Sequence, residues 1–375
     1  MPTFAGLLPL PWWGALAVAV LFTHATAMSV TIYLHRHLTH RALDLHPVAS
    51  HAFRFWLWLT TGIRARDWVA IDRRHHAHTH DYPRNPLRER SDRETVERYG
   101  HGAPDDGVER NLYAGMPWLG PVVMALVDVG LFGPVSGAII FGAQLCWIPL
   151  RSTGVVNWLG HSRGYRNWST DDNSTNILAW GILLAGEELH HNHHAFPTSA
   201  CFAARWNEID LGWRYIRALG VLRLATVRRT MPTLSCSPGA RAVDDAMMRA
   251  VLANRYLVQA RFAEMLRTTC TREAALMAEY APASERSTLR TLERWLQNGQ
   301  RPLTDAECTA LVPVLQRSRI LWAVYSMRVE LSALWVCSAA SPGEMTAQLG
   351  TWCQRAETTG IAPLVEFSQR LRCFR

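Results

Sequence analysis

Leu7 to Leu34 is an apolar run with no lysine or arginine, long enough as a helix to cross the roughly 30 Å hydrocarbon layer of a bilayer. A signal peptide has a similar profile, and Ala25-Thr26-Ala27 imitates a cleavage site. The positive region that opens such a leader is missing, however, and the apolar run continues past Ala27. The run therefore reads as a retained membrane helix. Arg36 and Arg41 follow at once, which puts its C-terminal end on the cytoplasmic side.

Two further stretches bear on the membrane. Pro117 to Leu150 is apolar and broken at Gly130-Leu131-Phe132-Gly133-Pro134, which predicts two helices in a hairpin that enters and leaves by one face. Arg110 and Arg151 flank it and fit cytoplasmic ends. His51 to Ile63 carries Arg54 and four aromatic residues, and is too short to cross comfortably. It predicts an interfacial helix with Trp56 and Trp58 at headgroup level.

All 16 histidines lie at or before His194. In GEELHHNHHAFP (186–197), His190, His193 and His194 fall at i, i+3 and i+4, so on a helix they share one face. Such a stripe suits neither solubility nor a core, and it suits a metal ion, for which neutral imidazole is a common ligand. Asp72, His75 and His76 repeat the spacing with a carboxylate first, and carboxylate with imidazole suits iron. In HRHLTH, His35 and His40 are five apart, about 140° around an α-helix, and converge only if the helix ends between them. Asn157 and His161 are four apart and share a face.

Each cluster alone has a bland alternative: a polar helix terminus, a solvated basic loop, a His-rich surface turn. Together, His35, His40, Asp72, His75, His76, His161, His190, His193 and His194 are nine candidate ligands on one membrane face. Nine exceed what one ion uses; two ions would use them, with a position open for oxygen.

The formal charge is +8, yet all 39 basic residues are arginine, and residues 233–375 hold 17 Arg against 13 Asp and Glu with no dense basic run. No nucleic-acid partner is expected; anionic lipid is better motivated. Eight cysteines without a CxxC pair read as free thiols in a reducing compartment. A Pro/Gly/Ser linker at 231–242 ends the membrane part, residues 1–230. Beyond it, helical patterns at Ala246–Leu266, Arg286–Leu296, Thr304–Leu334 and Met345–Arg370 predict a cytoplasmic all-α domain, 243–375, with no catalytic constellation.

The three boxes, HRHLTH, DRRHH and HHNHH, with GHSRGYRNW, STNI and HHAFP around them, resemble the membrane fatty-acid desaturases of the acyl-lipid or acyl-CoA Δ9 class, in bacterial form, over roughly residues 10–225. The resemblance implies an all-α, integral membrane helical fold with a cytoplasmic di-metal site, in the bacterial inner membrane. It implies two iron ions held by His35, His40, Asp72, His75, His76, His161, His190, His193 and His194, with Asn157 reaching the metal through water. It also implies O2 as oxidant, an acyl lipid or acyl-CoA substrate that gains a cis double bond, and an external ferredoxin- or cytochrome b5-like electron donor with its reductase. Trp158 and Trp180 are candidates for the wall of the acyl site.

Two departures stand out. The family has histidine where this chain has Asp72, which leaves three outcomes: a variant site, a site rescued by His78 or His80, or a decayed one. Ala70-Ile71 stands where animal acyl-CoA enzymes commonly carry Arg-Asp, which weakens the case for CoA recognition. A hydroxylase of the same superfamily is the alternative enzyme.

Overall fold

The apolar N-terminal run forms one continuous helix of 28 residues, Trp12–Thr39. It starts later than its hydropathy suggests because Pro11 caps it in extended conformation. Trp12–Ser29 (α1) is α-helical, and Val30–Thr39 widens into a π-helix that buries nearly every side chain. The computed structural model describes residues 6–79, 92–149, 156–233, 242–280, 288–289, 291–292, 305–336 and 341–374. His80, Arg151, Asn298-Gly299, most of Arg286–Leu296 and the linker beyond residue 233 lie outside the described residues. The chain divides into two compact units, Met1–Arg166 with Asp172–Met231, and Asn167–Asp171 with Pro232–Arg375.

In the first unit the long helix is followed by β1 (Leu43–Leu45), α2 (Pro47–Thr61), α3 (Ala65–Ala77) and α4 (Arg93–Tyr99). The expected hairpin forms as α5 (Leu119–Phe132) and α6 (Pro134–Pro149), reversing at Gly133, whose φ of +83° a side chain would resist. Its apolar faces pack on α1 through Ala15, Ala19, Phe132 and Ile140. Asp128 and Gln144 are buried between its helices and joined by a 2.9 Å hydrogen bond, which fixes their register. Helices of 14 and 16 residues are roughly 21–24 Å long, short of the roughly 30 Å hydrocarbon layer. Among the described residues Trp12–Thr39 alone is long and apolar enough to cross a membrane.

The interfacial reading of His51 to Ile63 needs correction. Trp58 is buried and its indole N–H donates to the Met116 carbonyl, while Trp56 donates to Thr26 on α1. Both indoles are spent inside the protein rather than at a headgroup layer. Arg54 is likewise held by Asp106 and Glu109.

The all-α expectation is also modified slightly. The unit is mostly helical, but β1 pairs antiparallel with β4 (Ala225–Val227), and β2 (Trp180–Gly181) runs parallel to β3 (Ile209–Asp210). These pairs are two or three residues long, below what any periodicity can reveal. They anchor the chain on either side of α7 (His190–Ala195) and α8 (Leu211–Val221).

The second unit contains α9 (Asp245–Ala253), α10 (Arg255–Tyr280), α11 (Asp305–Leu315), α12 (Arg319–Val336), α13 (Pro342–Thr358) and α14 (Ala362–Leu371). The stripe Met247, Val251, Val258, Phe262 and Leu266 is buried in its core, although Asn254 breaks the helix midway. Phe262, Trp352 and Phe367 meet there with ring centroids 5.1–6.2 Å apart. Ser341 opens α13 with a capping box to Glu344, so Ser341-Pro342-Gly343 starts a helix.

Candidate metal centre

The π-helix resolves the spacing problem at the first box. In an α-helix His35 and His40 diverge; in a π-helix residue i+5 hydrogen-bonds back to residue i and lies above it. The His40 N–H donates to the His35 carbonyl at 3.1 Å, and the two rings approach to 4.9 Å between centroids. The helix therefore need not end between them. Arg73 of α3 clamps this helix end, donating to the carbonyls of Leu38, Thr39, Tyr99 and His101. A basic residue of the second box thus serves as a fastener, not a solvated charge.

The third box rides on α7, a six-residue helix that is almost wholly buried. Asn192, on the side away from the other imidazoles, anchors it through Asn176, Glu208 and the Phe202 carbonyl. Before it, the chain turns at Gly186, with φ +98° and a Cβ position that would lie 2.3 Å from Asp210 Oδ1 and 2.6 Å from an Arg36 amino nitrogen. Only glycine fits there. Arg36 is itself fully buried, forked onto Asp210 at 2.9 and 3.0 Å and stacked 3.7 Å over Phe202. Phe202 in turn packs against His193 and His35, so the ion pair supports the histidines from behind.

Eight imidazoles form two groups of four, with ligand atoms within 4.8 Å of one another in each group. Cluster A is His35, His40, His76 and His193; cluster B is His75, His161, His190 and His194. The i, i+3, i+4 boxes do not each face one ion. From α3, His76 goes to A and His75 to B; from α7, His190 and His194 go to B and His193 to A. The two short helices thus interleave. Asp72 joins cluster A, with Oδ2 3.2 Å from His40 Nε2 and 3.8 Å from His35 Nε2. Cluster A offers five candidate donors and cluster B four.

The arrangement suits cations. Within the clusters neighbouring Nε2 atoms stand 2.9–3.3 Å apart. Two nitrogens bound at right angles about 2.1 Å from one ion would be about 3 Å apart. Burial, reinforced by neighbouring imidazoles, holds His76, His190 and His193 well below the ordinary histidine range and His161 down to about 2. His194 is lowered less, because Asp172 partly offsets its burial. Neutral rings that point lone pairs at a common centre need a positive charge there. Burial would raise the Asp72 carboxyl, but His35 and His40 outweigh it and hold it at about 2, so it too is an anionic donor. Asp72 Oδ2 and His40 Nε2 stand 3.2 Å apart, a spacing that two donors to one cation would also keep.

Known proteins are similar to this chain in sequence. Over 57% of the chain it is 28% identical to Δ9 acyl-lipid desaturase 2 of Arabidopsis thaliana, covering 74% of that protein. Over the same share it is 27% identical to the sn-1 stearoyl-lipid 9-desaturase of Anabaena variabilis, covering 84% of it. The histidine-bearing unit is similar to the membrane fatty-acid desaturases, and its histidine clusters fit that likeness. Residues 240–375 match a different family, described as Transposase (DDE_Tnp_ISL3). That match covers little more than a third of the chain. Among the described residues, both groups able to hold an ion lie in the first unit and neither in 240–375.

Of the residues singled out from sequence, eight imidazoles and Asp72 come together in the first unit. Asn157 sits half-buried on a short π-type turn, 156–159, four residues before His161. His78 does not substitute for Asp72: it is exposed and faces Tyr99. Trp158 and Trp180 are 51% and 67% exposed, so neither is enclosed as a wall would be. His191, which its phase sets aside, lies outside the clusters but is fully buried against Ser174. Glu187 and Asp172, which accept from His35 and His194, carried no spacing signal; each follows or precedes its partner by many residues.

Proposed function

We propose that the protein is an O2-dependent acyl desaturase of bacterial Δ9 type, acting on lipid-linked chains at the inner membrane. The observation that carries the reading is the pair of interleaved histidine clusters in a chain related to Δ9 acyl-lipid desaturases. The overall change is –CH2–CH2– + O2 + 2e− + 2H+ → –CH=CH– + 2H2O, with the electrons from an external ferredoxin- or cytochrome b5-like donor. A methylene has no accessible pKa, so no side chain can act on it as acid or base; bound iron supplies the oxidising power.

The residues of this chain do the holding. His35, His40, Asp72, His76 and His193 are the proposed ligands of one iron, and His75, His161, His190 and His194 those of the other, with Asn157 reaching the second through water. Their largely buried setting limits bulk water near the reacting methylenes, and α3 and α7, each supplying both clusters, set the distance between the two centres. Ala70-Ile71 before the second box, and relatives named as acyl-lipid enzymes, favour a lipid-linked chain over acyl-CoA. The long helix is the proposed membrane span, with the α5–α6 hairpin dipping into the bilayer from the cytoplasmic face.

Fatty-acid profiling of a bacterial host expressing the full chain with a ferredoxin tests the proposal. New monounsaturated acids with the double bond at carbon 9 are expected. Hydroxylated acids would move the assignment to a hydroxylase, and purified protein without iron would remove the oxidative reading altogether.

A further inference from the structure

We infer that Glu187 and Asp172 are the positioning residues of the two clusters, one carboxylate for each, and that each sets the metal affinity of its own cluster. The inference rests on the metal-binding part of the proposed function and is independent of the product formed. Glu187 Oε1 accepts the Nδ1–H of His35 at 2.8 Å and also the Thr31 hydroxyl. Asp172 Oδ2 accepts the Nδ1–H of His194 at 2.9 Å. Its Oδ1 accepts from the Ser174 backbone N–H and hydroxyl, and Ser174 Oγ accepts from Nδ1 of the buried His191.

An imidazole that keeps its proton on Nδ1 presents a lone pair at Nε2. His35 Nε2 lies 2.9 Å from His193 Nε2 in cluster A, and His194 Nε2 lies 3.3 Å from His75 Nε2 in cluster B. Each carboxylate thus selects the tautomer, fixes the ring plane and strengthens the donor of one ligand. The two supports come from different segments. Glu187 precedes α7, yet it serves cluster A, whereas two of the three box histidines on α7 face cluster B. Asp172 lies in the loop after His161 and serves cluster B. A change at either should be felt at one ion.

The test is a Co2+ titration of the metal-free full-length protein against a competing chelator, followed by visible absorption, for wild type, Glu187→Gln and Asp172→Asn. Both substitutions keep size and remove charge. Glu187→Gln should weaken one Co2+ by about 10–100-fold and leave the other within about 3-fold, and Asp172→Asn should do the converse. Equal melting temperatures of the three metal-free proteins separate this from general loosening. Unshifted affinities in both variants, or equal weakening of both ions, overturn the inference. Thr31→Val and Ser174→Ala, which keep the carboxylates and remove one support from each, serve if an amide variant does not fold. They should weaken the same single ion by a smaller factor, and no change in either overturns the inference as well. Two Co2+ with the selective pattern but no unsaturated product would remove the desaturase reading alone; active protein with unshifted affinities would remove this inference alone.

Discussion

Replacing Asp72 with alanine removes one of the five candidate donors of cluster A and leaves the four imidazoles of cluster B in place. The carboxylate lies 3.2 Å from His40 Nε2 and 3.8 Å from His35 Nε2, and those rings hold its pKa at about 2 instead of 3.8. The carboxyl is therefore ionised, as a ligand to a cation must be. Loss of a direct anionic donor should weaken the cluster A ion by at least the about 10–100-fold typical of an outer partner, or about 1.4–2.7 kcal/mol. The assay pairs iron content of the purified protein with unsaturated fatty acids in the host. Asp72→Ala should retain about one iron where wild type holds two, and lose product. Asp72→His restores an imidazole in the place that His190 fills on α7, and should keep both irons and activity. Two irons and undiminished product in the alanine variant would refute a ligand role for Asp72.

Further outcomes follow from the buried charges. His76, His190 and His193 sit well below their unfolded value of 6.5, so below that pH the unfolded state binds more protons. Metal-free protein should lose stability on acidification from about pH 6.5, by up to about 1.4 kcal/mol per pH unit for each ring. For His40 the loss extends to about 4 and for His161 to about 2. A melting temperature that stays flat from pH 7.5 to 5 would contradict this. Asp210→Ala leaves the buried Arg36 guanidinium uncompensated and should cost about 3–5 kcal/mol in thermal or urea unfolding; a loss near zero would mean that the pair is not buried in solution. In gel shifts at physiological salt the full chain should not retard duplex DNA, because 17 arginines and 13 acids are spread over residues 233–375 without a basic stripe. Retardation that survives competitor DNA would give the second unit a DNA-handling role instead.

Much of the site is legible because metal ligation imposes local spacing. The second and third boxes and the apolar stripe from Met247 to Leu266 follow from periods of three to four residues, and the hairpin break at Gly133 from its Gly and Pro residues. What failed depended on distant partners. Trp56 and Trp58 have the composition of interface anchors, and only packing against Thr26 and Met116 shows their N–H groups already used. His35 and His40 need a helix end only if the helix is α, and nothing local announces a π-helix. Glu187 is one of two adjacent glutamates, and nothing in the run distinguishes the one that meets His35 from Glu188, which closes the backbone turn at Leu184 and Gly186.

By itself, then, the sequence determined which residues could ligate, that a long apolar helix delivers the first of them, and that a separate helical unit follows. Spacing along one helix is a local property, and it survives translation from residues to imidazoles. The tertiary structure alone decided how the ligands divide. The i, i+3, i+4 pattern puts three side chains on one stripe, but α3 and α7 face each other, so each stripe is split between two centres and each centre draws on both helices. That division arises from the approach of two segments more than a hundred residues apart, and no period within either could contain it.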